Sequence, residues 1–267
     1  MSHPATQPTM AASANHNAGQ RPALLGASHG LQWWSSAITW LFGDLQRLGV
    51  WVLLALGYLL LSLVPHFIPL LGLIASIPLN FVLSGGLLLA ASRSARAEAP
   101  AFADLFAGFG PRAGQLIAAG TLVLGACLAI FAVMLMVGVW AVISAIAGGI
   151  RSSLILPDPA ALGIGLGTAG VLFACLLALI PLSMAAWLAP ALIMLRGVPP
   201  FDALRMSLAA CRRNLGALTV YGLLAILFAI AATLPLMLGW LVVVPLIFLS
   251  TYAAYQDLFA EAVEVLP

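Results

Sequence analysis

Gly165, Gly167 and Gly170 spell G-x-G-x-x-G, the spacing at which a dinucleotide-binding loop presents backbone amides to a pyrophosphate. That chemistry needs a preceding strand and an acidic residue about 20 positions on. Here both flanks are unbroken apolar sequence, so the glycines read as packing surface; Gly163 and Gly167 add the G-x-x-x-G spacing that lets helices approach closely. Gly26, Ser28 and Gly30 match the G-x-S-x-G of a hydrolase nucleophile elbow, yet they close a polar tail with no strand to hold a strained turn. The match is read as chance. Cys127, Cys175 and Cys211 offer thiols, but no C-x-x-C pair and no histidine spacing makes a metal site of them, and they read as small buried hydrophobes. No metal and no cofactor is expected.

The elements that carry these residues belong to a membrane. The chain is 63% hydrophobic and only 7% charged, with mean hydropathy +1.14, whereas a soluble domain carries about 25% charged residues. All ten basic residues are arginine, and nine of them fall in alternate gaps between long apolar stretches. A net charge of +2 spread over several loops excludes nucleic acid as a partner. Six stretches are long enough to cross a bilayer, which takes about 20 residues: 48–65, 69–91, 114–147, 161–194, 215–234 and 237–256.

Arginine placement orients these spans, because cytoplasmic loops accumulate positive charge. Arg21 and Arg47 precede the first span; Arg93, Arg96 and Arg112 lie between the second and third; Arg196, Arg205, Arg212 and Arg213 lie between the fourth and fifth. The opposite gaps hold only His66, then Arg151 with Asp158, then no titratable group. Both termini are therefore expected in the cytoplasm. Residues 1–28, with Arg21 as their only charge and no apolar run, read as a disordered cytoplasmic tail without a signal peptide. Residues 29–260 form the transmembrane domain and 261–267 a short cytoplasmic C-terminal tail.

The fold expected is all-α: six transmembrane helices in three parallel hairpin repeats, each preceded by a short amphipathic interfacial helix. In the first unit Trp34, Ile38, Leu41 and Leu45 form the apolar face; in the second Phe102, Leu105, Phe106 and Phe109; in the third Phe201, Leu204, Leu208 and Cys211. These helices either anchor the protein or form a collar that turns Arg93, Arg96, Arg112, Arg205, Arg212 and Arg213 toward lipid headgroups. The third and fourth spans, about 34 residues each, would run roughly 51 Å against a hydrocarbon core of roughly 30 Å. They must tilt or project as a helical hairpin.

Pro78, Pro181 and Pro245 lie inside spans, where each removes a helix hydrogen bond. They shape packing or, together with Asn80 and Ser84, line a cavity. The six spans as placed contain no Asp, Glu, Lys, Arg or His, although ion-coupled carriers and intramembrane enzymes keep such groups at depth. Enzymatic chemistry is not expected, and Asn80 reads first as a hydrogen-bonding residue between helices.

Residues 235–259, Ala103–Phe109 and Ser207–Asn214 resemble segments of an uncharacterised family of bacterial multi-pass inner-membrane proteins, distantly similar to the membrane domain fused to glycerophosphodiester phosphodiesterases. The resemblance spans about residues 30–260 and brings no catalytic residues; the soluble phosphodiesterase portion has no counterpart in this sequence. It implies residence in the bacterial inner membrane. Two roles are in play. One is a non-catalytic envelope or assembly factor with membrane lipids and a membrane protein as partners; the other is a passive or lipid-handling transporter.

Overall fold

The computed structural model describes residues 22–68, 71–151 and 159–259, and the side chains of 71, 73 and 147–164 lie outside that description. The tails, the loop at 152–158, the Arg21 side chain, the Arg151 side chain and Gly163 therefore fall outside it too. Eight α-helices are described: α1 (His29–Phe42), α2 (Leu45–Leu63), α3 (Leu71–Ala95), α4 (Ala113–Arg151), α5 (Pro159–Arg196), α6 (Pro200–Arg213), α7 (Leu215–Thr233) and α8 (Trp240–Phe259). Two 3-10 segments, Val64–Phe67 and Phe102–Phe109, join them, and no strand occurs among the described residues. Six helical stretches are long and apolar enough to cross a membrane, each overlapping a span expected from sequence.

Local chemistry sets the element ends. Gly43 closes α1, and Asp44, extended at φ −150°, starts α2 by accepting the Gln46 amide at 2.9 Å. Gly197 sits at φ 68° just past α5, a left-handed position glycine adopts without a Cβ clash. Asn214 stands between α6 and α7 and reaches back to the N-terminal segment: its Oδ1 accepts the Leu25 amide at 2.7 Å and its Nδ2 donates to the Ala23 carbonyl at 2.9 Å. Residues 22–28, expected to belong to the polar tail, are thus tied to the bundle, and the Ala23 amide also donates to the Leu258 carbonyl.

The core is built around α8. Most of this helix is buried, packed by α1, α2, α3 and α7. A membrane helix must satisfy polar groups within the protein, and α8 does so through Ser250 and Thr251. The Tyr221 hydroxyl lies 3.1 Å from Ser250 Oγ and 3.4 Å from Thr251 Oγ1, and Trp187 Nε1 donates to Thr251 Oγ1 at 3.1 Å. Trp33, Trp34 and Trp187 pack on the Tyr221 ring at 5.9, 5.2 and 5.0 Å between centroids. Rings so placed add about 0.5–1.5 kcal/mol per pair beyond area burial.

The apolar faces of the short segments are buried only in part. On α1 the buried residues are Gly30, Trp33, Trp34, Ala37 and Leu41, while Ile38 and Leu45 are exposed. In the 3-10 segment Leu105 is buried and Phe102, Phe106 and Phe109 are exposed; on α6 Ala203, Ser207, Ala210 and Cys211 face inward and Phe201 outward. Beside these large side chains, small residues are buried where a neighbouring backbone comes close. A Cβ on Gly108 would meet the Val82 carbonyl oxygen at 1.9 Å, and one on Gly30 the Ala217 oxygen at 2.4 Å.

Helices α4 and α5 have 39 and 38 residues, about 58 and 57 Å of helix. They meet the bundle only at the Arg112 and Arg196 end, through Leu116 and Ala119 on α4 and Leu188, Ala189 and Leu192 on α5. Farther along, Phe131, Met136 and Trp140 on α4 and Leu166 and Phe173 on α5 are each more than 60% exposed. The glycine motif makes no close helix contact among the described residues, and Gly163 lies outside them. A Cβ at Gly165, Gly167 or Gly170 would meet nothing within 4 Å.

Candidate functional site

The arginines collect at one end of the bundle, where the C-terminal turns of α3, α5 and α8 come together. Helix C-termini leave carbonyls without intrahelical partners, and a guanidinium satisfies them while opposing the helix dipole. Three arginines act in this way: Arg112 donates to the Ile193 and Met194 carbonyls of α5, Arg196 to the Phe259 carbonyl of α8, and Arg47 to the Ala97 carbonyl just past α3 at 2.9 Å. Arg93 Nη1 pairs with Asp104 Oδ1 at 2.8 Å, and Asp104 Oδ2 accepts the Ala101 amide at 2.9 Å, fastening the 3-10 segment to α3. Asp257 joins α8 to α1 by accepting from Trp33 Nε1 at 2.8 Å, with His29 Nδ1 at 3.1 Å.

The six arginines expected to face headgroups therefore divide. Arg93 and Arg112 are engaged inside the protein. Arg96 pairs with Glu98 at 3.1 Å on the surface, Arg205 lies over its own helix's Phe201 ring at 5.6 Å, and Arg212 and Arg213 are exposed at the end of α6.

Of the residues expected to line a cavity, Asn80 and Ser84 meet at the Tyr58 hydroxyl, and Pro181 and Pro245 lie on other helices. Asn80 accepts from the Tyr58 hydroxyl at 2.9 Å and donates to the Ser76 carbonyl, a cross-helix bond between α2 and α3. Ser84 lies half-buried on α3. Pro78 packs against α4 at Gly120, whose Cβ would stand 2.6 Å from the proline Cα. Pro245 is buried in α8, and Pro181 faces outward from α5.

A cavity does form at the arginine-bearing end, lined by none of those five. Its volume is about 640 Å³, and its walls come from the last turns of α3, α5 and α8. Leu89, Met194 and Leu195 supply apolar surface; Arg96, Arg196 and Gln256 supply polar groups. Arg196 is the best-held of them. Its Nε donates to the Tyr255 hydroxyl at 2.9 Å, and its guanidinium carbon lies 5.5 Å from the Tyr255 ring centroid and 5.4 Å from that of Phe259. Sequence reading placed Arg196 in a cytoplasmic gap but did not single it out, because its partners lie 59 and 63 residues away. Beneath α6, Cys211 is buried against the Met184 carbonyl, and burial pushes its thiol up to about 12, with a smaller opposing effect from Ser207.

The protein is a multi-pass membrane protein. A stretch of 96 residues is 34% identical to a probable inner membrane protein of Burkholderia thailandensis, covering 30% of this chain and 36% of that relative. The chain thus spans about a third of the length of the curated relative it matches. No protein-family profile matches the chain, and no solved structure matches it.

Proposed function

We propose that this chain is a non-catalytic factor of the bacterial inner membrane that assembles with another membrane protein through the α4–α5 hairpin. The observation that carries this reading is the hairpin's unpartnered length. Its apolar windows run 34 and 32 residues, with only 11% of each most apolar stretch buried, so roughly 50 Å of apolar helix meets a hydrocarbon core of roughly 30 Å. Lipid alone would require steep tilting; a partner helix covers the surface directly. The open positions of Gly167 and Gly170, three residues apart and so on one face of α5, suit such a helix, because small residues let backbones approach.

The same reading keeps both termini cytoplasmic, from the arginine distribution. It treats the chain as three parallel units, α1 to α3, the second 3-10 segment to α5, and α6 to α8, each led by a short helix. Arg96, Arg205, Arg212 and Arg213 are the exposed arginines that can meet lipid headgroups, with the exposed Phe102, Phe106 and Phe109 as interfacial anchors. The inner-membrane name of the partial relative supports the location.

Extraction with a native lipid annulus followed by mass spectrometry tests the role. A membrane protein at fixed stoichiometry, lost when Gly167→Leu crowds the open face, is the expected result. A chain recovered alone and monomeric ends the assembly reading. The second reading, a passive or lipid-handling transporter, is favoured by the amphiphilic cavity between α3, α5 and α8.

A further inference from the structure

We infer that the cavity at the arginine-bearing end binds the phosphate of an anionic phospholipid, with Arg196 as its fixed anchor and Arg96 as a second, loosely held cation. Both arginines line the same space although they leave different helices 100 positions apart. Phosphate is the anion best matched to guanidinium forks arriving from two sides.

Arg196 is already organised for this. Of its five N–H donors, one serves Tyr255 and one Phe259, and the flanking rings hold the guanidinium plane. Donors remain for a ligand, and no carboxylate lies within ion-pair distance among the described residues. Among the described residues the Arg96 side chain has one ion-pair partner, Glu98, and both side chains are more than half exposed at 58% and 54%. An exposed pair of this kind contributes little, so Arg96 can turn to a better partner.

The C-terminal carbonyls of α5 and α8 at this rim would repel an anion. Arg112 and Arg196 occupy them, which removes that obstacle. Size and lining choose between a free phosphate and a lipid. Some 640 Å³ is roughly the liquid volume of twenty water molecules, far more than one phosphate fills. Leu89, Met194 and Leu195 offer the remaining space to glycerol and the first acyl carbons rather than to water.

The inference deepens the lipid-handling reading but needs no transport step, and it is compatible with assembly. Full-length protein is equilibrated in mixed micelles of phosphatidylglycerol and phosphatidylcholine, and retained lipid is counted by native mass spectrometry. Wild type is expected to keep phosphatidylglycerol preferentially, at one per chain. Arg96→Gln should lower that preference about fivefold, the value of one arginine near an anionic surface, and Gln256→Glu should lower it comparably by placing a negative charge in the lining. Neither variant removes a core contact, so unchanged thermal unfolding accompanies both. Arg196→Gln should abolish the preference but also uncaps α8, so the first two variants carry the test.

Equal retention of the two lipids, or retention untouched by Arg96→Gln and Gln256→Glu, overturns the inference. Displacement by millimolar inorganic phosphate would assign the site to a soluble anion and overturn the lipid identity. Glu261 and Glu264 follow α8 in sequence, so the double variant E261Q/E264Q is run alongside. Preference emerging only there would assign the arginines to the chain's own carboxylates and overturn the proposal. Lipid flux across vesicles is measured separately: preference without flux upholds the site and removes the transporter reading.

Discussion

Asp104 and Arg93 offer the sharpest test of whether an arginine at this end serves the fold or the membrane surface. The Asp104 carboxylate is 6% exposed as a side chain, and the Arg93 side chain 37% exposed, at 2.8 Å. Removing one partner of a buried pair typically costs about 3–5 kcal/mol, and water at the arginine brings the figure toward the lower bound. Arg93→Gln leaves the buried carboxylate without its cation and should cost about 3 kcal/mol. Asp104→Asn keeps an acceptor for the Ala101 amide and leaves an arginine that water can reach, so the loss should be about 1.5–2 kcal/mol, near the lower end for a charged hydrogen bond. The double variant R93Q/D104N should fall short of the sum by about 1 kcal/mol or more, since neither charge is then stranded. Unfolding by added sodium dodecyl sulfate in mixed micelles, followed by tryptophan fluorescence, reads all three. Additive losses, or a harmless Arg93→Gln, would refute this reasoning and return Arg93 to the lipid headgroups.

Glycines predict effects of opposite sign in the same assay. Gly108→Ala and Gly86→Ala place a methyl 1.9 and 2.5 Å from carbonyl oxygens across the contact between α3 and the 3-10 segment, and should destabilise by about 1–3 kcal/mol or more. Gly49→Ala, on α2 with nothing within 4 Å, should stabilise by about 0.5–1 kcal/mol. Cys211, with its thiol pushed up to about 12 from 9.0, carries about a thousandfold less thiolate at pH 8 than an unshifted thiol. In a Cys127→Ala/Cys175→Ala background it should resist maleimide until detergent unfolds the chain; rapid labelling of folded protein would contradict its burial. Because the folded state holds that proton and the unfolded state releases it, this group's contribution to stability should fall as pH rises from about 9 toward 12. Tyr221→Phe removes the hydroxyl between Ser250 and Thr251 and should cost about 0.6–1.7 kcal/mol; no change would remove that bond from the core's account.

Composition and charge spacing were enough to read the membrane character, the six spans and the gathering of arginines in alternate gaps. A run of about 20 apolar residues has few alternatives to a membrane helix, and the expected spans overlap the observed helices throughout. Asn80 bonding across helices was also legible, because a lone amide in an apolar span needs a partner. What the pattern could not choose was the face of each helix that packs. Of the apolar face on α1, Trp34 and Leu41 are buried and Ile38 is exposed, while Ala37, Ser207 and Ala210, which stand outside the apolar faces, are buried. In water, apolar residues mark the inner face; in a bilayer, lipid is as apolar as a neighbouring helix, so contact is decided by how closely backbones can approach. The arginine cavity was hidden for a related reason. Arg196 meets Tyr255 and Phe259, and Arg112 meets Ile193 and Met194, across separations that no local spacing encodes. Those partnerships exist only once three helix C-termini are packed side by side, exposing carbonyls that guanidinium groups satisfy.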